Sequence, residues 1–94
     1  MYRIELTSGC KRDFKKINKG DIQFIYDSLA EFAANFSSDY ELSLMQSGKI
    51  KKLQGQKELL YRLRLRSYRV IYKKEHEKLL ILVLHVTSRE GAYK

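Results

Sequence analysis

Apolar and basic side chains alternate with a period of two over residues 59–66. In extended backbone this puts Leu59, Tyr61, Leu63 and Leu65 on one face and Leu60, Arg62, Arg64 and Arg66 on the other. The alternation resumes after Ser67, with Tyr68, Val70 and Tyr72 opposed to Arg69, Ile71 and Lys73. The pattern predicts a hairpin with one core face and one cationic face. Upstream, residues 2–6 alternate as a short strand, Thr7 and Ser8 can cap a helix over 11–17, and Asn18, Lys19 and Gly20 stop it. Asp21 is the expected cap of the next helix, where Ile22, Ile25, Tyr26, Leu29, Phe32, Ala33 and Phe36 recur at the 3, 4 spacing of an amphipathic helix. Residues 40–47 fit either an extra helical turn or a packed loop. Residues 78–86 are apolar on both faces, which predicts an interior strand.

These elements predict an α+β fold in the order β-α-α-β-β-β. Two N-terminal helices pack on one face of a small, mainly antiparallel four-stranded sheet, with 49–53 available as a further short strand. The apolar stripe of the helices has only that face on which to be buried, so the opposite, basic face stays open. The 94 residues make one domain, 1–94, with no proline, repeat or low-complexity linker to divide it.

Charge sharpens the picture. The formal net charge is +8, and between Lys49 and Lys78 eleven basic residues face three acidic ones, so this segment carries the whole excess. A localised field of this kind attracts polyanions. The 44% hydrophobic content is that of a folded protein, no apolar run approaches the length of a bilayer, and residues 1–6 lack the pattern of a signal peptide. A soluble cytoplasmic protein with no membrane contact is expected. A single cysteine, Cys10, fits a reducing compartment and makes no metal site, so neither metal nor cofactor is expected.

Arg69, with Arg62 or Arg64 on the neighbouring strand and Arg89 after the last strand, has the makings of a phosphate clamp, because guanidinium groups bind phosphate oxygens bidentately. Tyr93 beside several cations is a candidate proton acceptor for a ribose 2'-hydroxyl. The structural alternative, in which Tyr93 is a terminal anchor and Arg89 pairs with a surface acid, fits the spacing equally well. His76 and His85 are the candidate general bases: His76 is expected to be exposed and idle in a charged turn, and His85, on one face with Ile81 and Val83, is more often a strand histidine satisfied by one hydrogen bond than a catalytic one. Tyr61, Tyr68 and Tyr72 fall on the apolar face and are expected in the core. The basic region holds no acidic pair of the kind a metal nuclease needs.

The run Lys52-Leu53-Gln54-Gly55, then Tyr61-Arg62-Leu63-Arg64-Leu65, then Tyr68-Arg69-Val70-Ile71-Tyr72, and an apolar strand ending His85-Val86-Thr87-Ser88-Arg89-Glu90-Gly91-Ala92-Tyr93 closely resemble the RelE toxins of the RelE/ParE superfamily. The resemblance covers nearly the whole chain. It implies the toxin of a type II toxin-antitoxin system, an endoribonuclease that enters the ribosomal A site and cuts messenger RNA without a metal. Its partner would be a cognate antitoxin with an acidic segment, and the complex would bind operator DNA through that antitoxin. The resemblance matches Arg69 to the arginine on the scissile phosphate, Arg89 to the leaving-group acid and Tyr93 to the base. Arg62 and Arg64 stand where relatives often carry lysines, and Thr87-Ser88 replaces the usual small and basic pair. Arg62, Arg64, Arg66, Lys51, Lys52 and Lys73 are the expected RNA-binding cations. The rival expectations are a ParE-like inhibitor of DNA gyrase without nuclease activity and a non-catalytic RNA-binding module.

Overall fold

The structure, a computed structural model, describes residues 1–55 and 57–88. Strand β1 (Arg3–Leu6) leads into helices α1 (Ser8–Phe14), α2 (Lys19–Asn35) and α3 (Ser38–Gln46). Strands β2 (Ile50–Lys52), β3 (Tyr61–Leu65), β4 (Tyr68–Glu75) and β5 (Leu80–Ser88) follow, the last two joined by a 3-10 turn at His76–Lys78. The sheet has five strands in the order β1-β5-β4-β3-β2, with β1 parallel to β5 and the other pairs antiparallel. The fifth strand is β2, the basic segment before Gly55.

Capping side chains set the helix boundaries, and they differ by a few residues from those expected. Thr7 accepts a hydrogen bond from the Cys10 amide, so α1 starts at Ser8 and ends at Phe14, leaving Ile17 beyond it but still packed on the core. Asn18, expected as a stop, is the cap of α2, accepting from the Asp21 amide at 2.8 Å. Asp21 instead sits in the first turn, where a carboxylate complements the helix dipole. Ser37 caps α3 through the Tyr40 amide, which makes residues 38–46 a third helix. Gly48 ends it at φ +84°, a conformation that costs glycine little, with its amide and that of Lys49 closing on Met45 and Leu44.

Helices α1 and α2 bury Cys10, Phe14, Ile25, Leu29, Phe32 and Ala33 against Tyr61, Leu63, Leu65, Val70, Tyr72, Ile81, Val83 and Val86 of the sheet, and α3 adds the partly buried Tyr40, Leu44 and Met45. Leu59 precedes β3 and is 53% exposed, so the core face of that strand begins at Tyr61 rather than at Leu59. One polar cluster is buried among these residues. Glu41 of α3 accepts from the Tyr72 hydroxyl and from Lys74 Nζ, both at 2.7 Å, and Lys74 lies 4.6 Å from the Tyr61 ring centroid. Burial and the adjacent carboxylate push the Tyr72 hydroxyl far above the usual phenol range.

Strand β5 changes character half-way. Its first half pairs with β1 as far as Leu6 with Val83, and past that point α1 takes over the edge. Thr7 Oγ1 donates to the carbonyls of Val83 and Leu84 at 2.9 and 3.0 Å, and Asp13 Oδ2 accepts from the Val86 amide at 3.0 Å. A strand edge that would otherwise offer unpaired groups is thereby closed. At the same place the register against β4 slips, since Tyr72 pairs with Val83 and Ile71 with His85, leaving Leu84 as the extra residue of a β-bulge. The bulge reverses the phase of the strand. Ile81, Val83 and Val86 all enter the core, while His85 emerges on the opposite face and not, as alternation alone predicts, beside Ile81 and Val83. No helix among the described residues is long and apolar enough to cross a membrane.

Candidate phosphate site

The sheet face away from the helix core gathers the cations. Arg64 and Arg69 are direct cross-strand partners, Arg62 lies opposite Lys51 on one side and Ile71 on the other, and Thr87 faces Arg69 from β5. Arg62, Arg64, Arg66, Ser67, Tyr68 and Arg69 line an open cavity of about 240 Å³. Two guanidinium groups converge on one acceptor, with Arg62 Nη2 and Arg64 Nη2 donating to the Gly48 carbonyl at 3.3 and 3.1 Å. Among the described residues, no carboxylate pairs with the guanidinium groups of Arg62, Arg64, Arg66 or Arg69.

Two observations mark the face as unfinished. Arg62 Nε and Thr87 Oγ1 are buried polar atoms with no hydrogen-bond partner among the described residues, which leaves both free to engage a ligand's oxygens. The Arg62 guanidinium is also held below its ordinary range, first by burial and then by the charges of Arg64 and Arg69. Clustering like charges on neighbouring strands costs stability that a bound anion would return. A phosphodiester suits the site in charge and geometry, because forked donors meet its oxygens two at a time.

The expected cations divide. Arg62, Arg64, Arg69 and Lys51 share the open face. Lys52 pairs with Tyr61 and therefore points to the other face, as a one-residue step in a strand dictates. Arg66 leaves the row, because β3 ends at Leu65 and Arg66 opens a two-residue turn at φ +54°. Its guanidinium stacks 3.7 Å over the Phe24 ring of α2, at the rim of the cavity. Lys73 is engaged by Glu58 at 2.8 Å, and that bond raises its ionisation range. Arg89 and Tyr93 lie outside the described residues. Tyr61 and Tyr72 stack in the core and Tyr68 donates to Asp21 at 2.6 Å, as their phase predicts. His76 is exposed and bonds the Tyr2 hydroxyl, away from the cationic row.

His85 is a candidate base from the sequence, but its place on this face and the two residues that join it there are not announced by the pattern. His85 sits diagonally across from Arg69, and its Nδ1 meets Asp13 Oδ2 at 3.1 Å. Thr87 brings the orphaned hydroxyl. Asp13 is 72 positions from His85 and reaches it only because α1 seals the edge of β5, so no local spacing signals the pair.

Comparison with solved structures agrees with this architecture. No family model matches the chain, and no curated protein sequence does. The archaeal RelE-RelB complex from Pyrococcus horikoshii contains a chain with 24% identity and a TM-score of 0.67, covering 97% of this chain and 98% of that one. The fold is that of the RelE toxins. The intact Escherichia coli RelBE toxin-antitoxin complex matches with 20% identity and a TM-score of 0.67, covering 100% of both chains. A metal-bound toxin from Helicobacter pylori matches with 14% identity and a TM-score of 0.70, over 99% of this chain and 100% of that one. Among the described residues, three helices and a five-stranded sheet thus reproduce the RelE fold, with one strand more than the four expected.

Proposed function

We propose that the chain is the toxin of a toxin-antitoxin system and that it cuts messenger RNA on the ribosome, by attack of a ribose 2'-hydroxyl on the adjacent phosphate. The observation that carries this reading is the meeting of Arg62, Arg64 and Arg69 around one cavity on the open face of a RelE fold, with two buried donors that no described residue engages. The nucleophile belongs to the substrate, so what the protein must supply is placement and positive charge. Arg69 and Arg64 straddle the scissile phosphate and stabilise the charge that grows on its oxygens in the pentacovalent transition state. Arg62 and Lys51 hold the flanking backbone. Following the resemblance, Arg89 is proposed as the acid at the leaving 5'-oxygen and Tyr93 as a proton acceptor. Guanidinium and phenol groups are a weak acid-base couple near neutral pH, so the ribosome would contribute by fixing the message in the attack geometry.

The proposed partner is an antitoxin that lays acidic residues over Arg62, Arg64 and Arg69 and that would carry the complex to its operator. The solved complex from Escherichia coli is itself a toxin-antitoxin complex, and that from Pyrococcus horikoshii joins RelE to RelB. The deciding experiment is cleavage of a message on programmed ribosomes. Cuts in A-site codons that are lost in Arg69→Ala and Arg89→Ala support the nuclease. Gyrase-dependent DNA breaks on expression indicate ParE-like action instead, and RNA binding without cleavage leaves only an adhesive domain.

A further inference from the structure

We infer that His85, held by Asp13, is the group that takes the proton from the attacking 2'-hydroxyl. This deepens the nuclease reading and rests on it.

The argument starts from the bulge at Leu84, which puts His85 on the same face as Arg69, Arg62 and Thr87. Diagonal neighbours on a sheet lie about 7–8 Å apart, close enough for an imidazole and a guanidinium to serve one dinucleotide step. The ring is oriented by two contacts on one side. Asp13 Oδ2 meets Nδ1 at 3.1 Å, and the same oxygen accepts from the Val86 amide at 3.0 Å, so the carboxylate is tied to the strand it serves. A carboxylate acceptor at Nδ1 selects the tautomer with its proton there and leaves Nε2 as the free lone pair. Gly9 closes the other contact, since a Cβ at that position would lie 3.0 Å from His85 Cε1 and 3.1 Å from the Leu84 carbonyl. No other described residue hydrogen-bonds the ring, and the side chain is 47% exposed, so a ligand can reach it from solvent.

The step balances simply. The 2'-hydroxyl proton passes to Nε2, the 2'-oxygen bonds to phosphorus, and the bond to the 5'-oxygen breaks. The 5'-oxygen takes a proton from water as it leaves, and the imidazolium returns its own to solvent, so no net proton is gained or lost. The products are a 2',3'-cyclic phosphate and a 5'-hydroxyl. Asp13 acts through His85 as a positioning residue. Tyr93 is the rival for the same proton.

Single-turnover cleavage on programmed ribosomes tests this, comparing wild type with His85→Ala, Asp13→Asn, Tyr93→Phe and Arg69→Ala. The expected result is a loss of about 100-fold or more in His85→Ala, the scale of a general base, with ribosome affinity unchanged and partial recovery on adding free imidazole. Asp13→Asn loses less, and its imidazole nitrogen resonances show that the Nδ1–H tautomer no longer dominates. Wild-type cutting by His85→Ala, together with loss in Tyr93→Phe, overturns the assignment and leaves the nuclease standing. Absence of imidazole rescue in a folded His85→Ala also overturns it. If wild type cuts nothing while Arg69→Ala still changes ribosome binding, the nuclease reading and this inference fail together.

Discussion

Replacing Arg69 by glutamine should make the protein more stable while removing its activity. Arg69 faces Arg64 directly across the hairpin, and its charge also presses on Arg62. Two unit charges about 5 Å apart in water repel by about 0.8 kcal/mol. Screening over a Debye length of about 8 Å at physiological salt roughly halves that figure. With Arg62 partly buried and added as a second neighbour, the relief on removing Arg69 comes to about 0.5–1 kcal/mol at low salt. Urea unfolding should therefore show Arg69→Gln more stable than wild type, with a difference that shrinks as sodium chloride is raised toward about 1 M, where the Debye length is about 3 Å. Inorganic phosphate should reverse the order. At about ten times its dissociation constant it stabilises wild type by about 1.4 kcal/mol, and it should do nothing comparable for the variant. Cleavage on ribosomes should fall by about 100-fold to 1,000-fold, as on losing one transition-state donor. A variant less stable than wild type at low salt, or a difference indifferent to salt, would refute the view of this cluster as a strained anion site.

Glu41→Ala should cost about 3–5 kcal/mol in urea unfolding, because it strands the buried Lys74 cation and the Tyr72 hydroxyl, and Glu41→Ala with Lys74→Met should recover much of it. Burial first, and Asp13 second, raises the Cys10 thiol from 9.0 to about 11, so the stability it contributes is complete below about pH 9 and is lost as pH climbs through 11. Unfolding of wild type against Cys10→Ala over that interval checks the slope, and alkylation of the folded thiol should be far slower than in urea. Gly9→Ala should impair cleavage more than stability, by pressing on the His85 ring and the Leu84 carbonyl; equal cleavage would mean that the ring relaxes without consequence. Charge reversal at Arg62 and Arg64 should abolish capture by an acidic antitoxin, and a complex indifferent to it would remove the charge argument for that partner.

The parts of the molecule legible in the sequence are those where one local rule acts alone. The hairpin of β3 and β4 follows from period-two alternation, and α2 from its 3, 4 stripe, so the cationic face and its arginines can be read from the residues themselves. Helix α3 cannot, because its single fully buried residue is Glu41, whose charge reads as solvent-facing until Lys74 and Tyr72 arrive from β4. Arg66 departs from the expected row because a turn without glycine at φ +54° gives no compositional sign of where the strand ends. His85 departs from its expected face for a subtler reason. Alternation records the phase of a strand but not a slip within it, and the slip at Leu84 depends on β4 alongside.

That slip divides the labour of one strand. Up to Val83 the strand works with β1 to hold the interior together, and after Leu84 it lends side chains to the cationic surface, with α1 replacing β1 at its flank. Deleting Leu84 would only straighten the strand, with His85, Val86 and Thr87 keeping the partners and faces they have, whereas flattening the bulge with Leu84 retained would exchange inside for outside over those residues, driving an imidazole into the oil and a valine into water. A protein arranged this way can alter what its surface presents by moving one kink along a strand, with every other pairing in the sheet left as it was.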